Sequence, residues 1–190
     1  MGWNQIRWTE ARQVASMMGA DEGEMPAEGI APEDHYRSLR GGEDGTAAVL
    51  FMGATLPRLE AIAWAGRIVE TEAEGRQLPP ADRQALDHAL RWLGDQSDQP
   101  RRAARVAAEA AGDRSPERML ALGVFFSGGS ISEPELPPVP PAPGVAGRFA
   151  AGAIIMAAGR VIERRKAVID RALDLGEKIA THGMRALSAE

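Results

Sequence analysis

Three histidines, one glycine-linked pair of serines and a carboxylate in an apolar run are the groups with which this chain could do chemistry. His35, His88 and His182 have the ring nitrogens that ligate metals or shuttle protons. None has an Asp or Glu three residues before it, and no His-Glu-x-x-His occurs. The helical di-iron and zinc-protease patterns are therefore missing. Asp87 and His88 are neighbours, which on a helix sets them about 100° apart. Ordinary surface or partly buried histidines are expected.

A serine nucleophile needs a strained elbow such as Gly-x-Ser-x-Gly. The chain has Phe126-Ser127-Gly128-Gly129-Ser130 instead. A Gly-Gly turn can cradle an anion with its backbone N–H groups. This one follows a predicted helix C-terminus, which is partially negative, and no Lys or Arg lies within eight residues of it in the sequence. The expectation is that Gly128 or Gly129 takes a positive φ to end the helix and release the chain. Glu60 lies in the apolar stretch Leu56–Val69 with Arg58 close by. Burial would raise its pKa toward acid–base use, whereas an arginine-paired tie or an exposed side chain is the commoner outcome. Arg58 and Glu60 thus define one enzymatic alternative, a helical pocket. No catalytic, cofactor-binding or metal-ligating residue is assigned, and no cofactor is expected.

The elements that must position these groups are helical. Among 190 residues there are 34 alanines, 20 arginines and 2 lysines, with aromatics at 5%. Alanine and arginine favour helix, and the strand-forming types are scarce. The absence of cysteine excludes disulfide scaffolds, thiolate metal sites and a cysteine nucleophile. A net charge of −5 argues against nucleic acid as a partner. Arg101, Arg102 and Arg105 form one basic cluster, and Arg160, Arg164, Arg165 and Lys166 another. Neither alternates with aromatics, so solvated helix faces are expected, with an acidic partner patch as the alternative. The N-terminal residues lack the basic stretch and apolar core of a secretory signal. The most apolar run, Phe149 to Gly159, rises only about 16 Å as a helix, half a bilayer core. A cytoplasmic protein with no membrane partner is expected.

Helical periodicity and stop signals divide the chain. Residues 1–31 read as an N-terminal arm and acidic linker, with Thr9 as N-cap of a short helix. Residues 32–190 read as the helical domain. Within it, helices are expected at about 32–40, 45–54, after Pro57, at about 80–93, from Asp98 to Gly112, and from Ser115-Pro116 to Phe125-Phe126. A long terminal helix is expected over about 160–186, with Val161, Val168, Ala172, Leu175 and Ile179 on one face. Residues 130–143 form a proline-rich strap, with six prolines from Pro134 to Pro143 that exclude helix and central strand. Leu136-Pro137-Pro138-Val139-Pro140-Pro141 repeats P-x-x-P. It could dock on an aromatic groove of another protein, but Leu136 and Val139 favour an internal brace with two apolar pegs.

Together, Leu56-Pro57-Arg58-Leu59-Glu60-Ala61-Ile62-Ala63-Trp64-Ala65, Ala107 to Gly112, and the Phe125-Phe126-Ser127-Gly128-Gly129-Ser130 turn with its proline strap resemble an uncharacterised bacterial family of unknown function associated with type VI secretion gene neighbourhoods. The likeness spans about residues 32 to 160. It departs at Leu59, where the family pattern tends to a second arginine, and at Phe126, where tryptophan often stands. The resemblance implies a small helical cytoplasmic accessory, an adaptor or chaperone for secreted cargo.

The expected architecture is a compact all-α multi-helix bundle. The expected function is a non-enzymatic protein–protein interaction module, with a secretion-system component or effector as partner. The candidate contact residues are Trp3, Trp8, Met17, Met18, Arg58, Glu60, Trp64, Phe126, Ser127, Gly128, Gly129, Pro137, Pro138 and Pro140. Exposed Trp and Met are recognition residues, unless the arm folds back and completes the core. A homo-oligomer joined through the apolar face of the terminal helix is the third alternative.

Overall fold

Prolines and glycines set the helix boundaries in the computed structural model, which describes residues 2–188. Nine α-helices and no strand form among the described residues. They are α1 (Ala11–Met18), α2 (Pro32–Arg40), α3 (Thr46–Thr55), α4 (Arg58–Ala73), α5 (Pro80–Gly94), α6 (Asp98–Ala110), α7 (Pro116–Phe125), α8 (Val145–Ala158) and α9 (Arg165–His182). Proline begins α2, α5 and α7 and immediately precedes α4, positions where its missing N–H costs nothing. Ser115 caps α7, its Oγ accepting from the Arg118 N–H at 3.2 Å.

Two local expectations are corrected. Glu10 rather than Thr9 caps α1, because the Gln13 side chain reaches back to accept from the N–H groups of both residues. The terminal helix is not continuous over 160–186. A 3₁₀ turn (Ile162–Arg164) precedes α9, and Gly183, at φ +66°, ends it before a second 3₁₀ segment (Gly183–Leu187).

Helix α8 lies against α3, α4, α7 and α9. Its sequence is apolar nearly all round, the signature of a buried helix, and its many alanines let the neighbours come close. The tightest approach is to α3. A Cβ on Gly53 would lie 2.5 Å from the Gly147 carbonyl oxygen, and a Cβ on Gly147 would meet the Gly53 carbonyl closer still. Only glycine fits both places. Helices α5, α6 and α7 pack on one another beside this centre.

Buried polar groups are tied across the core. The Trp64 indole donates to Ala172 O at 2.7 Å, and the Tyr36 hydroxyl donates to Leu173 O at 3.2 Å, so α4 and α2 are both joined to α9. Fully buried Glu117 accepts from Arg160 at 2.6 Å on each oxygen and from Ser115 Oγ at 2.9 Å. Glu72, also buried, accepts from Arg164 and Arg171. Arg165 bonds Thr46, and Lys166 bonds Asp170. The second basic cluster is thus paired with carboxylates and a hydroxyl of its own fold: Arg164 and Lys166 are exposed, as expected of a solvated face, whereas Arg160 and Arg165 are half-buried.

The arm packs onto the helical body. Trp3 leans on Tyr36 with ring centroids 5.0 Å apart, and the Gln5 N–H donates to Ala180 O at 3.0 Å. The Trp8 indole donates to Thr55 O at 3.1 Å. Ala11 and Val14 belong to the core, with Met17 and Met18 half-buried against it. The acidic residues 21–24 are exposed. Among the described residues no single helix is long and apolar enough to cross a membrane.

Candidate functional site

The most distinctive local structure is the strap and the arginines that hold it. Helix α7 runs out at Phe125, and Ser127 Oγ donates back to Val124 O at 2.7 Å. Gly129 then turns the chain at φ +63°, as a helix-ending glycine does. Arg101, one turn into α6, is buried beneath this turn. Its Nη1 donates to Phe125 O at 2.6 Å and its Nη2 to Ser130 O at 2.8 Å, while Asp98 accepts from Nε at 3.0 Å. The same guanidinium lies over the Phe125 ring, 4.9 Å from its centroid, a cation–π contact that burial strengthens. A Cβ on Gly129 would fall 3.0 Å from that guanidinium.

Two further arginines on α6 continue the attachment. Arg102 donates to Ser132 O at 3.1 Å, and Arg105 to the Glu133 carboxylate at 3.0 Å. Hydrogen bonds from Arg101 first, and then Arg102, hold the Asp98 carboxyl below the usual aspartate range. Within the strap the Ile131 N–H donates to Val139 O at 2.8 Å, the Val139 N–H to Ser130 Oγ at 3.1 Å, and Ser132 Oγ to Pro137 O at 2.7 Å. The cluster Arg101, Arg102 and Arg105 therefore forms the strap's mount, and the expectation of a solvated helix face is corrected. Sequence distance hid this, because the nearest of these arginines lies more than twenty residues before the turn.

The two pegs point the other way from expectation. Leu136 is 59% exposed and Val139 47%, and Pro137, Pro138 and Pro140 are exposed with them. The strap is braced through backbone carbonyls and serines, so it needs no apolar side chain turned inward. Val106, 67% exposed, lies one helical turn beyond Arg102 on the same face of α6. Val106, Leu136 and Val139 are thus exposed apolar side chains on α6 and the strap.

Beyond the strap the chain forms one wall of a cleft of about 520 Å³. Arg7, Trp8, Met17, Arg58, Phe126 and Pro143 are among its lining residues. Arg7 lies over the Trp8 ring at 4.4 Å, and the Arg58 guanidinium lies 3.4 Å from the place a Cβ would take on Gly128. Neither arginine has a carboxylate partner among the described residues. The cleft carries two cations within an acidic protein, and Trp8 and Phe126 are the aromatic residues in a lining otherwise made mostly of small residues and prolines.

The sequence-predicted residues are distributed unevenly over these features. Trp8, Met17, Arg58 and Phe126 meet in the cleft. Ser127, Gly128 and Gly129 form the turn above Arg101, and Pro137, Pro138 and Pro140 stand on the exposed strap. Trp64 is fully buried, so its place among contact residues is corrected: it is a core residue that bonds α9. Trp3 is occupied by Tyr36, and Met18 packs on the core. Glu60 opens onto a different cleft, with Gln5, His182 and Arg185. Two positions along a helix amount to about 200°, so Arg58 and Glu60 line different clefts and the alternative of one pocket around both is not met. The apolar face of α9 is covered by the protein itself: Val168, Ala172, Leu175 and Ile179 are all buried, leaving no stripe there for a second copy. Arg7 in the cleft and the exposed Glu135, Leu136 and Val139 on the strap are not among the sequence-predicted residues. The alternation of apolar residues with prolines is the one sequence signal for Leu136 and Val139, and it does not say which way they point.

Among the described residues no group of three His, Asp or Glu side chains is placed to hold a metal ion. His35 sits edge-on to Phe51 at 4.9 Å, and burial lowers its pKa from the ordinary value.

Neither a curated protein nor a solved structure matches the chain. A family model does, over residues 35–180, from within α2 through the strap and most of α9. That span holds α3 to α8, the arginine mount and the Ser-Gly-Gly-Ser turn, and by it the chain belongs to the family of unknown function DUF6931.

Proposed function

We propose that this protein is a non-enzymatic protein–protein interaction module whose contact surface is the strap and the cleft beside it. One observation carries the reading. Three arginines and two serines fix the strap from behind, while Leu136 and Val139 face solvent. A segment ordered before it meets a partner loses little entropy on binding. Proline-rich segments of this kind are read by grooves with aromatic walls. A role as a cytoplasmic adaptor or chaperone-like accessory of a bacterial type VI secretion system is part of the proposal. Its support is the sequence resemblance carried by the Ser-Gly-Gly-Ser turn and the strap.

The test uses the full chain with a photo-crosslinking amino acid at position 136, and separately at position 83, an exposed site on α5. Irradiation in the source cells is expected to give a discrete protein adduct from 136 and none from 83. Absence of an adduct at 136, or equal labelling from both positions, would overturn the reading.

A further inference from the structure

The cleft and the strap have complementary chemistry. The cleft offers Arg7, which lies over Trp8, and Arg58, beside the Gly128 turn, both without carboxylate partners among the described residues, and it is lined also by Trp8 and Phe126. The strap offers Glu135, which has no cationic partner among the described residues, followed by exposed Leu136, Pro137, Pro138 and Val139. Its other acid, Glu133, is already taken by Arg105. Aromatic walls suit proline rings, and unpaired guanidinium groups suit a carboxylate. At about 520 Å³, the cleft falls within the ~300–1,000 Å³ usual for ligand sites.

A strap cannot enter its own cleft. Residues 130–133 are fixed to α6 by Arg101, Arg102 and Arg105, and the strand of chain that lines the cleft begins only at Pro141. The two features are nevertheless consecutive along the chain. A pair of copies facing one another across a two-fold axis can therefore place each strap in the other's cleft, which is the closed, isologous arrangement.

We infer that the occupant of the Arg7–Arg58 cleft is the Glu135–Val139 segment of a second copy, and that the protein forms a dimer by reciprocal strap exchange. The inference rests on the interaction reading above and names its partner. It also differs from a dimer through α9, whose apolar face is internal.

Sedimentation velocity on full-length chains tests it with two charge-reversed variants. One is R7E/R58E and the other is E135R. All three positions are exposed, so circular dichroism should remain that of the wild type. The wild type is expected to dimerise in a concentration-dependent way. Each variant alone should associate roughly tenfold more weakly, or worse, because like charges face each other at both contacts. An equal mixture of the two variants should recover the dimer, since both contacts then pair opposite charges. A wild type that stays monomeric at every concentration overturns the inference, and so does a dimer indifferent to both reversals. If the chain is monomeric but still gives a foreign adduct from position 136, the dimer is overturned and the interaction reading stands. If neither is seen, both fall.

Discussion

Arg101 Nη1 donates to the Phe125 carbonyl at 2.6 Å, which joins the first turn of α6 to the last residue of α7 and sets where the strap leaves the bundle. The carbonyl is one that a helix end leaves without an intrahelical partner. A buried guanidinium satisfies it and the Ser130 carbonyl together.

R101A should therefore cost about 3 kcal/mol, because two carbonyls lose a charged donor and Asp98 loses its main partner. R101K keeps the charge without the planar fork and should recover less than half of that loss. Urea denaturation measures both variants. Limited proteolysis should cut within 130–143 in R101A before it cuts elsewhere. Equal strap protection in R101A and wild type would show that the arginine is not the mount.

Alanine at Gly53 or Gly147 should destabilise the protein by about 1–3 kcal/mol or more, since the new methyl would overlap a backbone carbonyl that cannot swing aside. Gly94 is the contrast. It ends α5 with nothing within 4 Å of its would-be Cβ, so G94A should be neutral or stabilising by a few tenths of a kcal/mol. Thermal melts of the three variants separate the cases.

Among the described residues Arg160 is the sole cation on fully buried Glu117. R160A leaves that carboxylate unpaired and should cost about 3–5 kcal/mol. The double variant R160M/E117M removes the charge with its partner and should be markedly more stable than R160A alone. Denaturation of both, with wild type, checks the ordering.

Acid should loosen the strap. The folded pKa of Asp98 is depressed by Arg101 and Arg102, so its contribution is present above the unfolded value of about 3.9 and is lost as pH falls through the lower folded value. The effect is modest because the carboxylate is 60% exposed. D98N should remove that part of the acid dependence and show the weaker strap already at neutral pH. Hydrogen exchange at Ile131 and Val139, whose N–H groups close the strap, reads it at successive pH values.

Removing the arm should weaken the fold. W3A strips the ring from Tyr36 and should cost about 2 kcal/mol, below the full core value because Trp3 is only half-buried. Deleting residues 2–31 should cost considerably more, since Ala11 and Val14 are core residues. An unchanged melting temperature for the deletion would mean that the arm is merely laid on the surface.

The helices were legible because their signals are local. Pro32, Pro57, Pro80 and the Ser115-Pro116 pair mark starts, and the alanine-rich periodic faces mark what is buried. The strap's existence was equally plain from six prolines. Its orientation was not, because the groups that hold it are arginines on another helix bonding backbone carbonyls, and neither partner carries a pattern in the sequence. Asp98, Arg101 and Arg102 do stand at intrahelical pairing distance, which hinted that the cluster was partly neutralised. Arg58 and Glu60 illustrate the converse: closeness along the chain allows a shared pocket as an alternative, and helical geometry turns the two apart. Trp64 was misplaced because an indole suits a core and an interface equally, and only the bond to Ala172 decides between them.

Where Gly53 meets Gly147, the two helices touch through bare main chain. Such a joint has no side chain to compress, rotate or exchange for one of another size, so it neither slides nor adapts. The cleft is built directly on it. Any change in the shape of the cleft must therefore come from the side chains of its rim, at Arg7, Arg58 and Phe126, while the bed beneath them stays as it is.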